Sequence, residues 1–136
     1  MKSPEAVLRN ALVTTTAVSA LVGSRVFPVI APATAGVPYI TYRRSSVQRS
    51  QSLSGPIGVP TVTVELDVVA ATYEGARDLA DKCRKVLDGY GGSFENTEVK
   101  NVSLENESDG FIQLSGGDLP LVYSVTQLYN TLWQET

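Results

Sequence analysis

The stretch from Thr61 to Gly92 constrains this chain more than any other part of it. TVTVELDV alternates, so Val62, Val64, Leu66 and Val68 share one strand face, with Thr61, Thr63, Glu65 and Asp67 on the other. One dry face and one wet face is the pattern of an antiparallel sheet covered on one side. The period then changes. In YEGARDLADKCRKVL, Ala76, Leu79, Ala80, Cys83, Val86 and Leu87 recur at helical spacing, with Thr72 placed to cap the start and Gly89 the end. Asp78–Lys82 and Asp81–Lys85 are expected to pair on the wet side at i, i+4. Each such pair contributes only a few tenths of a kcal/mol, so packing holds the helix.

The flanking text extends this into an α+β order. Ser3, Pro4 and Glu5 suit a helix start, and Val7, Leu8, Ala11 and Leu12 form its apolar stripe. Thr14 to Thr16 break that helix, and a short second one, Ala17 to Val22, ends at Gly23. Arg25 to Ile30, bounded by Pro28 and Pro32, reads as a strand at an edge, and Tyr39 to Ser45 as the next. Residues 46–58 (SVQRSQSLSGPIG) are polar and too long for a tight turn, so they predict a hairpin arm or loop. Beyond the helix, a Gly and Ser turn leads to a strand from Glu98 to Glu105, then a loop from Ser108 to Pro120. The tail to Trp133 fits a helical stripe as well as a strand face; its Val, Thr, Tyr and Trp content favours strand. The expected fold is one α+β domain spanning 1–136. It has an antiparallel or mixed sheet, one main helix on the sheet's apolar face, and short N-terminal helices.

Composition removes most chemistry. There is no histidine, so the commonest general base and metal ligand is missing, and the single Cys83 has no such base beside it. One cysteine also excludes an internal disulfide and a Cys/His zinc site. Cys83 sits on the helix's apolar stripe and is expected to be a small buried hydrophobe. Glu65 and Asp67 lie two apart, as a catalytic acid pair could, but strand alternation alone produces that spacing. GGSFEN follows a helix instead of opening one, so it is no phosphate loop. ENESD (105–109) lacks EF-hand spacing and reads as a solvated turn. No cofactor or metal is expected. No run approaches the roughly 20 apolar residues of a membrane span, and MKSPEAVLRN is not a signal sequence, so the chain is expected to act in a cytosol, off the membrane.

Charge is unevenly spread. Six basic residues and one acid precede Val59, and five basic residues and thirteen acids follow, so +5 faces −8 for a net −3. Arg43, Arg44 and Arg49 lie near Tyr39 and Tyr42 and could suggest a nucleic-acid patch. The chain is acidic, however, and alternation sends Arg43 and Arg44 to opposite faces. Arg and Tyr are also favoured anchors between proteins, which is the better reading here.

Several pieces together resemble one family, the tail-completion (head-to-tail joining) proteins of long-tailed bacteriophages. SPEAVLRNAL is similar to its opening helix, ALVGSRVFPVIAP to its second helix and first strand, and VPYITYRRSS to its second strand. SGP resembles the end of its loop, and VELDVVAATYEGARDLADKCRKVLDGY its long strand, helix and cap. The resemblance covers residues 3–90 best. It implies a non-enzymatic virion protein, a terminator-like subunit whose ring, usually a hexamer, caps the tail tube and docks the head connector. The partners implied are copies of itself, the tube protein and the connector or stopper, with DNA only passing through the lumen. A head-side adaptor or stopper, and a small binding or chaperone-like module, are the alternatives. On this reading the contact residues are Arg43, Arg44, Arg49, Gln51 and Leu53, with Glu65 and Asp67. The basic and acidic halves suit the two unlike patches that a ring contact requires.

Overall fold

The computed structural model describes residues 4–32, 36–48, 51–52, 55–56, 61–94, 97–112 and 122–134. Two short helices open the fold, α1 (Pro4–Thr14) and α2 (Thr16–Val22). They part at Thr14 and Thr15, whose hydroxyls turn back onto the carbonyls of Asn10 and Ala11, each at 2.7 Å. That competition with the helix ladder is what the threonine run predicts. Gly23, at φ 59°, ends α2.

Strands β1 (Val26–Pro28), β2 (Tyr39–Gln48), β5 (Thr61–Ala70), β6 (Gly92–Phe94), β7 (Thr97–Ile112) and β8 (Val122–Gln134) form one sheet, ordered β1-β2-β5-β8-β7-β6. Only the β1–β2 pairing is parallel, which makes the sheet mixed. A separate pair, β3 (Gln51–Ser52) and β4 (Gly55–Pro56), lies within the expected arm. α3 (Tyr73–Leu87) follows β5 directly, and the Thr72 hydroxyl accepts the Gly75 N–H at 3.0 Å as its cap.

Burial along β5 alternates as expected, with Val62, Val64, Leu66 and Val68 inside. Its inner face joins a core that draws on all three helices: Val7, Leu8 and Leu12 of α1, Val18 and Val22 of α2, and Ala76, Leu79, Ala80, Cys83 and Leu87 of α3. Each buried Leu or Val contributes about 1.5–3 kcal/mol against a few tenths for a surface ion pair, so apolar packing sets the helix positions.

Several expected boundaries move. β1 stops at Pro28, two residues before Ile30, because Val29 turns to φ 65°. β2 runs on through Ser46, Val47 and Gln48, which pair with Thr63, Val62 and Thr61 after a bulge at Arg44/Ser46. The Gly and Ser turn after α3 contains β6. β7 continues seven residues beyond Glu105, so the acidic run is strand and not a turn. Ladder bonds to β8 hold it there, with Glu107 opposite Gln127 and Asp109 opposite Val125. Asp78 and Lys82 pair at 2.9 Å, whereas Asp81 faces Arg77 at 3.5 Å instead of Lys85.

Candidate assembly surface

The outer face of the sheet, away from the core, carries the polar alternates of β2, β5 and β8. Cross-strand register sets Arg43 opposite Glu65 and Thr41 opposite Asp67. The Arg43 guanidinium donates to both Glu65 oxygens, at 2.8 and 3.2 Å. Those bonds hold the Glu65 carboxyl below its ordinary range. Asp67 is different. Its Oδ1 accepts from the Thr126 hydroxyl at 2.6 Å, and burial pushes its carboxyl up, with neighbouring Glu65 adding to the shift. One arginine thus stands beside two carboxylates, and it is committed to the outer one.

A groove of about 330 Å³ opens beside Asp67, walled by Val29, Ile30, Tyr39, Val69 and Ser124. Val29 and Ile30 form its rim and are 68 % and 77 % exposed. A β-branched residue at φ 65° costs about 1–2 kcal/mol, because its Cβ crowds the following carbonyl. The Val29 N–H, bonded to the Tyr42 carbonyl at 2.7 Å, helps hold the turn. Strain of this kind persists where surrounding structure imposes it, and it clusters at binding surfaces.

The other expected contact residues separate. Arg44 points the opposite way from Arg43, as alternation requires, and pairs with Glu5 of α1 at 2.8 Å. Arg49 and Leu53 lie outside the described residues, and for Gln51 only the backbone, in β3, is described. Val29 and Ile30 were hidden from sequence reading inside an apparent strand, although an apolar pair between two prolines is a signal for a projecting turn.

A second constellation joins α3 to the sheet. Gln127 is fully buried, and its Nε2 donates to the Ala80 carbonyl at 3.0 Å and to Glu107 Oε2 at 2.7 Å. Its Oε1 accepts from the Tyr129 hydroxyl at 2.8 Å. Arg77 of α3 then reaches Glu107 at 2.7 Å and Asp109 at 3.3 Å, and the Tyr73 hydroxyl donates to Asp109 at 2.7 Å. This network spends the acidic run on internal pairing. Cys83 is wholly buried, and burial pushes its thiol up to about 12, far from a reactive thiolate. Among the described residues, no His, Cys, Asp and Glu group is placed to hold a metal, and no helix is long and apolar enough to cross a membrane.

A family model described as tail completion protein gp17 matches residues 6–115. No curated protein matches the chain. Among solved structures, one chain of the "Virion of native gene transfer agent (GTA) particle" has a similar fold, with a TM-score of 0.77 at 13 % identity. The superposition covers 97 % of this chain and 95 % of that one.

Proposed function

The chain belongs to the tail completion protein gp17 family, and from that premise we propose that it is a structural virion protein that ends the tail tube as a ring and joins it to the head connector. The observation that carries this reading is the family match across residues 6–115, which runs from most of α1 to just past the end of β7. The outer face supports it. It combines an exposed apolar rim with polar side chains, as interfaces that form and hold in water do. A ring further needs two different patches on each subunit, and a subunit with a groove on one sheet face and helices behind the other offers two unlike faces. The likeness to a chain of a gene transfer agent virion is one of fold, in keeping with a subunit of a phage-like particle. The role is assembly and not catalysis.

Light scattering on the purified protein, alone and after addition of isolated tail tubes, tests this. A ring of about six copies, formed in solution or on the tube, is the expected result. A protein that stays monomeric and ignores tubes would refute the ring. Binding to isolated heads and not to tubes would favour a head-side adaptor. Particles made without the protein should lack joined tails; tailed, infectious particles would end the proposal.

A further inference from the structure

We propose that the groove between the Val29–Ile30 rim and Asp67 is a socket for a basic side chain at the C-terminal end of α3 in a second copy of this chain. This deepens the ring reading and rests on it. The groove's chemistry selects the guest. Apolar walls with a carboxylate at the base suit a long aliphatic stem ending in a cation, the form of lysine and arginine. Among the described residues Asp67 makes no ion pair: Arg43 is close enough to act on its carboxyl but gives both its hydrogen bonds to Glu65. Thr126 supplies a neutral hydroxyl donor to Oδ1, so it brings no positive charge to the groove. The strained Val29 turn keeps the rim projecting where a guest would slide past it.

The described residues narrow the choice of donor. Among the described residues, Arg9 and Arg25 donate to backbone carbonyls, and Arg43, Arg44, Arg77, Lys82 and Lys100 are paired with carboxylates. Only Arg84 and Lys85 are without a hydrogen bond or ion pair there, and Lys85 is the exposed one. Its expected intrahelical partner, Asp81, is turned toward Arg77. Lys85 ends a helix on the core side of the sheet, while the socket opens on the outer side. The two cannot meet within a subunit but can meet between neighbours, as a head-to-tail contact demands.

Sedimentation velocity over a concentration series tests the pairing in the full chain. Asp67→Lys and Lys85→Asp should each weaken self-association about tenfold or more, and the double charge swap should recover most of it. Asp67→Asn should weaken it less and flatten its salt dependence, a readout that a folding defect does not produce. Far-UV circular dichroism checks that each variant is folded. Should Asp67→Lys not fold, Asp67→Asn with Lys85→Asp carries the test, since the two losses should then be less than additive. Wild-type protein that assembles while the variants assemble equally well would overturn the socket and leave the ring standing. Wild-type protein that never assembles, with or without tubes, would overturn the ring itself. Variants that form rings normally but no longer bind tubes would show that the guest is another virion protein, which also overturns the assignment.

Discussion

Replacing Gln127 with leucine removes the hub that ties α3 to β7 and β8. The amide makes three hydrogen bonds with no exposure to solvent, so the lost bonds leave the Ala80 carbonyl and the Tyr129 hydroxyl in a place water does not reach, while Glu107 stays partly exposed. The Ala80 carbonyl suffers least, since an interior helical carbonyl also accepts from the next turn. Glu107 keeps Arg77 at 2.7 Å but loses a charge-assisted bond, about 1.5–3 kcal/mol. The Tyr129 hydroxyl is left buried with no acceptor, about 1–3 kcal/mol. Together these give a loss of roughly 3–5 kcal/mol for Gln127→Leu. Tyr129→Phe alone should cost about 1–2 kcal/mol, by stripping the amide oxygen of its donor. In the Gln127→Leu background the same change removes an orphaned hydroxyl, so it should be neutral or stabilising. Urea unfolding followed by the fluorescence of Trp133, the single tryptophan and 6 % exposed, measures all four proteins. Additive losses, or a Gln127→Leu protein as stable as the parent, would refute the reasoning.

Other outcomes follow from the same geometry. Thr131 Oγ1 is buried without a hydrogen-bond partner among the described residues, so Thr131→Val should hold or raise stability by up to about 1 kcal/mol in the same urea assay. Cys83 should resist a thiol reagent in the folded protein and react once urea unfolds it, because burial blocks access and raises its pKa. Glu65 and Asp67 should titrate with opposite consequences. The Glu65–Arg43 contact stabilises above the ordinary carboxylate value of 4.5 and is lost as pH falls below it, so Glu65→Gln should cost about 0.2–1 kcal/mol at neutral pH and nothing in acid. Asp67, whose carboxyl is shifted up, opposes folding as it ionises. Asp67→Asn should therefore stabilise the isolated subunit at neutral pH, an advantage that disappears as pH falls, readable as the pH dependence of the urea midpoint.

What sequence reading found, it found through periodicity. The β5 alternation buries its whole set and the α3 stripe all but the half-buried Val86, so their patterns are clear and their boundaries nearly right. β6 and the far half of β7 gave no such signal. Their residues are mostly Gly, Ser, Glu, Asn and Asp, and what makes them strands is pairing with a neighbour, β6 with β7 and β7 with β8, a tertiary cause invisible locally. Gln127 was within reach, since period two places it between Val125 and Tyr129 on the inner face. Its polarity hid it, although a polar residue on an inward register predicts a buried hydrogen-bonded hub. At the outer face, Arg43, Glu65 and Asp67 were each identified, but their inequality depends on which carboxylate the arginine reaches. The Val29 turn had only the flanking Pro28 and Pro32 to announce it, and they read equally as the bounds of a strand.

The two long strands nearest the margins of the sheet are irregular, β2 at Arg44/Ser46 and β7 at Val99/Asn101 and Leu104/Asn106. β1 pairs with only the first residues of β2, and β6 with only the first of β7, beyond which Gly89 and Asp88 take up the Val102 carbonyl and the Leu104 N–H. A stray strand zipping onto either would fall out of step within a few residues. Irregular margins of this kind disfavour fibrous stacking of one copy on another, and leave side chains instead of backbone to make contacts.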